Sequence, residues 1–177
     1  MSKALYSEMK SFIGFDAEDE ANLTALQGVI AKHGARITDA FYATLEANET
    51  TAALIAGRVD RLKATHARWM GAMVGGDYGD AWFEQQERVG NVHVQMGISP
   101  FHVELTFSLL RDNLIDAIAR EEPARAAALS RSAVKALDMS LALINHAYAE
   151  ERLNRLAGFT GFSRKLIETC INKKAKA

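Results

Sequence analysis

The sequence predicts an all-α protein, and three observations carry that reading. Alanine is abundant while only two prolines occur, Pro100 and Pro123. No stretch alternates β-branched or aromatic residues with polar ones between turn signals, as strands require. Helix-start and helix-stop residues recur along the chain instead.

Asp16, followed by Glu18, Asp19 and Glu20, suits a helix N-terminus, where negative charge meets the positive end of the dipole. His33-Gly34 is expected to interrupt that helix. A second then runs from near Ala35 through Ile37, Phe41 and Leu45 to about Ala47, and Asn48 to Thr51 makes a short corner. A third helix spans about Val59 to Val74 and stops at Gly75-Gly76; a fourth starts near Asp80 and ends at Gly97. Ser99-Pro100 places a cap before a proline at the first helical position, opening a fifth helix to about Arg120. Glu122-Pro123 repeats the arrangement and opens a long sixth helix reaching about Leu156. Gly158 and Gly161 loosen the chain before an amphipathic stretch with Phe162, Leu166 and Ile167. The expected organisation is one domain over residues 1–157, with 158–177 as a helical extension or the start of a linker to an output module.

Composition excludes several classes. With 177 residues the chain is long enough for one real core. Its net charge of −1 leaves no electrostatic footprint for nucleic acid, and the basic tail Lys173, Lys174, Lys176 reads as a solubilising terminus. The lone Cys170 permits no internal disulfide. The first residues lack the apolar core of a signal peptide, and the longest uncharged stretch, Val89 to Val103, is too short and polar to span a bilayer. A soluble cytoplasmic domain without membrane contact is expected.

The histidines carry the chemistry. On a helical wheel Leu62, His66, Trp69 and Met73 fall on one side of the third helix, and Val89, Val92, His93 and Met96 on one side of the fourth. Each imidazole alone reads as a core histidine bonded to a backbone carbonyl. Together, two imidazoles on greasy faces of two helices point to haem, which needs a flat apolar slot and axial neutral imidazoles. None of the five histidines has Glu three residues before it, so the ferritin-like di-iron motif is missing, and His-Glu-x-x-His is missing too. His146 and Glu150 have metal-pair spacing but read as surface decoration. Cys170 lacks an obvious base for a nucleophile's role.

Asp39-Ala40-Phe41-Tyr42, Val59-Asp60-Arg61-Leu62-Lys63 and His93-Val94-Gln95-Met96-Gly97-Ile98-Ser99-Pro100 resemble the globin domain of globin-coupled sensors, over roughly Asp16 to Arg152. The resemblance implies a three-over-three globin fold with a short or missing D helix. It makes His93 the proximal ligand of haem b, Tyr42 the distal tyrosine and Thr65 a distal polar residue. Leu62, Trp69, Met70, Val89, Val92, Met96 and Ile98 are the further candidate haem contacts, with Met70 or Met73 a lesser candidate for an axial ligand. It also implies a homodimer through the helices around 100–120 and 123–156. Leu105, Leu109 and Ile118 are expected at that interface with Leu129, Ala133, Ala136, Leu137, Leu141, Ile144 and Tyr148. Two departures stand out. Phe101-His102-Val103 replaces the family's usual aromatic pair, and His66 stands where the family has an apolar residue. His66 is therefore expected as the second iron ligand, the competing arrangement being a five-coordinate iron with His66 at the haem edge.

The implied function is a non-enzymatic sensor that binds O2, CO or NO, or senses redox state, and passes on a conformational signal. The alternatives are a haem-free globin-like interaction module in stress signalling and a nitric-oxide-detoxifying haem enzyme, which would need a reductase partner.

Overall fold

The computed structural model describes residues 3–173, and among them the chain forms nine helices and no strand. Lys174 and Lys176 of the basic tail lie outside the described residues. The sequence reading had no counterpart for α1 (Lys3–Phe12). Tyr6 anchors it: the ring stacks on Phe83 at 5.0 Å and the hydroxyl donates to the Tyr78 carbonyl at 2.8 Å.

Asp16 opens α2 (Ala17–Ala25) as expected, through a capping box in which its carboxylate accepts from the Glu18 and Asp19 amides and Asp19 accepts from its own. The expected break at His33-Gly34 does not occur. The chain breaks at the fully buried Leu26, and α3 (Gln27–Ala47) runs unbroken through Gly34. One helical glycine costs only about 1 kcal/mol, and burial of Val29, Gly34 and Ile37 outweighs it. The expected corner at Asn48 is a cap: its side chain accepts from the Thr50 and Thr51 amides and starts the seven-residue α4 (Glu49–Ile55), a short helix where the resemblance implied one short or missing.

Helices α5 (Val59–Met73), α6 (Asp80–Gln95) and α7 (Pro100–Glu121) follow the expected spans closely. Gly97, at φ +68°, closes α6, and the Ile98 amide reaches back to the His93 carbonyl at 3.1 Å. The long α8 (Ala126–Thr160) starts three residues after Pro123, and it continues through Gly158 to the left-handed cap Gly161. Then α9 (Arg164–Asn172) packs back on α8 through the buried Ile167. Arg164 grips both carboxylate oxygens of Glu150 at 3.0 Å, so an ion pair occupies the Glu150 of the His146/Glu150 spacing. Among the described residues no group of three metal-binding side chains exists, nor is any helix long and apolar enough to cross a membrane.

Helix α8 is the hub. It is packed by α6, α7 and α2, while α3 packs on α5 and α7. A buried polar tie fastens α2 to it: Ser132 donates to Asp19 at 2.7 Å, Lys135 to the other Asp19 oxygen at 2.7 Å, and Asn22 to Ser132 at 3.2 Å. Desolvation would raise the Asp19 carboxyl, but the bonds from Lys135, Ser132 and the Asp16 amide outweigh it and hold the group below its ordinary value. This surrounded position corrects the expected interface. Leu129, Ala133, Ala136, Leu137, Ile144, Tyr148 and Ile118 are all buried inside the single chain, and Leu109 and Leu141 are half-buried. Of the residues named for pairing, Leu105 stays open, 53% exposed, near Phe101 at 62%.

The approach of α6 to α8 is glycine-dependent. A Cβ on Gly90 of α6 would lie 2.8 Å from the Ala147 Cβ and 3.0 Å from the Ile144 Cα on α8. Gly90→Ala must therefore push α6 off α8. A loss of about 1–3 kcal/mol is expected, read as a lower urea midpoint with little change in slope.

Candidate functional site

His66 projects from α5 into a cluster of aromatic rings. Phe41 of α3 stacks on it at 4.8 Å and 17°, Trp69 lies at 5.6 Å, and Tyr42 stands edge-on at 6.0 Å. Its Nδ1 is 2.9 Å from the Thr38 hydroxyl on α3, whereas its Nε2 is buried and without any hydrogen-bond partner. Burial pushes the imidazole down to about 4, so it is neutral at pH 7.

His93 sits in the last turn of α6, where a cation would suit the helix dipole. It is nevertheless held neutral, since burial lowers its pKa more than the Val89 carbonyl raises it. Nδ1 is 2.8 Å from that carbonyl. A carbonyl only accepts, so Nδ1 carries the hydrogen and Nε2 keeps its lone pair.

The two imidazoles ride on separately supported helices, α5 on α3 and α6 on α8. Two side-chain links join α5 to α6. The Trp69 indole donates to the Gln86 carbonyl oxygen at 2.9 Å, which also accepts from Ser140 of α8 at 2.7 Å. Arg58, at the start of α5, reaches the Met96 sulfur at 3.6 Å.

The structure distributes the expected contacts unevenly. Leu62, Trp69, Val89 and Ile98 are half-buried. Val92 is 54% exposed and Met96 39% exposed, while the buried face of α6 runs through Trp82, Phe83, Gln86 and Gly90. Thr65 is exposed and its hydroxyl donates to the Arg61 carbonyl at 3.0 Å, since adjacent helical residues point about 100° apart. Met70 and Met73 are buried, and the Met70 sulfur accepts from Thr38 at 3.8 Å. Tyr42 is buried more deeply than Phe41 beside it; desolvation raises its hydroxyl to about 12, which keeps it a donor. His33 is paired with Glu121 at 2.8 Å, away from this group.

Three site residues escaped the sequence reading: Thr38, Gln86, and Phe41 as a ring stacked on His66. Helical spacing held the signal for two of them. Thr38 is four residues before Tyr42, and Gln86 is seven before His93, each on the same face.

Neutral imidazoles with free nitrogen lone pairs among aromatic and aliphatic side chains are the donor set that suits haem iron. The buried, unpartnered Nε2 of His66 fits that group, because a metal would remove the cost of leaving it unpaired.

The protoglobin family profile matches residues 2–154. Over 113 residues the chain is 33% identical to the heme-based aerotactic transducer HemAT of Halobacterium salinarum, a match covering 62% of this chain and 23% of the transducer. The chain thus spans under a quarter of that relative's length. Among solved structures it is similar to the globin domain of the Geobacter sulfurreducens globin-coupled sensor. That match has a TM-score of 0.75 and 25% identity and covers 80% of this chain and 96% of the other. The globin domain of E. coli DosC, in its ferric form, shares the fold at TM-score 0.68 and 18% identity, over 81% of this chain and 99% of that one. A profile covering most of the chain, together with this fold, places it: the chain belongs to the protoglobin family, and it is a globin domain of the globin-coupled sensor kind.

Proposed function

We propose that the chain is a haem-carrying gas or redox sensor domain, with His93 as the proximal ligand and His66 as the ligand on the opposite side. The observation that carries this reading is the buried Nε2 of His66, neutral and without a partner. The likeness to a heme-based aerotactic transducer and to a globin-coupled sensor supports it. Bound haem b would supply an iron that takes O2, CO or NO. The protein's part is to hold two neutral imidazoles, to keep the Tyr42 hydroxyl protonated as a donor, and to surround them with apolar side chains that exclude water. A change in the position of α5 would reach α8 through Trp69, Gln86 and Ser140. That route supports a signal carried by helix movement rather than by turnover.

Purified protein is expected to show a strong Soret band, and its absence would return the chain to the haem-free alternative. His93→Ala should weaken haem retention by at least about tenfold, since losing even a partner that supports a ligand costs that much. Full loading with an unchanged spectrum would show that another residue holds the iron.

The deoxygenated ferrous protein should give sharp, split low-spin bands that disappear in His66→Leu. If His66 competes for the iron, its removal should speed CO association by the factor by which it had closed the site, about tenfold where nine molecules in ten are closed. A broad high-spin band in the unmutated protein would remove His66 from the iron.

Pairing of two chains is proposed through the open apolar side of α7, at Phe101 and Leu105. Sedimentation at micromolar concentration should show a dimer that Leu105→Glu converts to monomer; a monomeric unmutated chain would overturn the proposal.

A further inference from the structure

Thr38 departs from the habit of most helical threonines here, which bond a carbonyl of the preceding chain; Thr106 reaches back three residues, to Val103. Thr24, Thr44, Thr65, Thr160 and Thr169 each donate to the carbonyl four residues back, at 2.7 to 3.1 Å. Thr38, buried within α3, turns its hydroxyl across to α5, where it lies 2.9 Å from His66 Nδ1 and 3.8 Å from the Met70 sulfur. His66 and Met70 are one helical turn apart, so both face the same hydroxyl.

A hydroxyl has one hydrogen, and this limits the group to two arrangements. In the first, Thr38 donates to the Met70 sulfur and accepts from Nδ1–H of His66, leaving a lone pair on Nε2. In the second, Thr38 donates to Nδ1, so the ring hydrogen sits on Nε2. That hydrogen is then a buried donor with no acceptor, since Nε2 has no partner, and the sulfur is left unpaired as well. Orphaned buried N–H groups are among the rarest features of folded proteins, so the first arrangement prevails. Phe41 stacks on the ring and Trp69 lies tilted against it, which restrains its plane. Stacking does not distinguish one ring edge from the other, and Thr38 does.

We propose that Thr38, backed by the Met70 sulfur, is a positioning residue that holds His66 as the Nδ1–H tautomer and presents the Nε2 lone pair for iron. This rests on the haem reading above for its purpose, but the tautomer is a property of these three side chains.

The test uses the full chain as purified, histidine labelled with ¹⁵N, reduced and saturated with CO, which keeps the sample diamagnetic with or without haem. Two-bond ¹H–¹⁵N correlation spectra near pH 7 are expected to show His66 protonated on Nδ1. Thr38→Val should shift the tautomer ratio toward Nε2–H by about tenfold, the scale of one hydrogen bond. Met70→Leu, which keeps the volume, should shift it the same way, and Thr38→Ser should restore it. An Nε2–H tautomer in the unmutated chain, or the same ratio in Thr38→Val and Met70→Leu, overturns the proposal. In haem-loaded protein Thr38→Val should speed CO association about tenfold, and should do nothing in the His66→Leu background. An equal effect in both backgrounds would mean that Thr38 does not act through His66. A chain purified without haem that still shows the Nδ1–H tautomer would sink the haem reading and leave the tautomer assignment standing.

Discussion

The contact at Gly90 sets the frame for everything else in this molecule. Only a residue without a side chain lets α6 lie this close against Ile144 and Ala147 of α8. That approach sets the height of His93 and buries Gln86, and it lets Ser140 reach the Gln86 amide at 2.7 Å. Helix α8 can support this because its small residues, Ala133, Ala136, Ser140 and Ala147, leave room for neighbours on several sides. The same crowding explains why α8 spends so much of its apolar surface inside one chain.

The two imidazoles belong to different halves of that frame. His93 travels with α6 and α8, and His66 travels with α5 and α3. Each half fixes one ring nitrogen by a short hydrogen bond, to the Val89 carbonyl on one side and to the Thr38 hydroxyl on the other. Trp69 and Gln86 tie the halves together, and Arg58 and Met96 tie them again nearer the chain ends of the two helices. Such an arrangement suits a sensor, because a shift of one half relative to the other is registered at a few identifiable bonds rather than absorbed by a continuous apolar contact.

Much of the fold was legible in local chemistry. The Asp16 capping box, the Ser99-Pro100 start and the Gly97 stop are each decided within a few residues, and the helices stand where those signals put them. The misread places are those where packing overrode a local preference. Gly34 looks like a breaker, yet burial carries α3 through it, and Gly158 is passed by α8 in the same way. Helix α1 carries weak local signals and is held by Tyr6 against residues more than seventy positions away.

The sequence by itself determined the all-helical class, the family through the segment from His93 to Pro100, and two histidines on apolar helix faces, because periodicity and spacing are local properties. Only the tertiary structure decided which neighbours those histidines have. A wheel fixes a direction to within tens of degrees, enough to put His66 on an apolar side and too coarse to say which ring and which hydroxyl it meets. That Thr38 meets His66 across 28 positions, and that Gln86 meets Trp69 across 17, follows from how α3, α5, α6 and α8 cross one another. Hydrogen bonds form over about 3 Å, and only the packed arrangement of helices brings such distant residues within that reach.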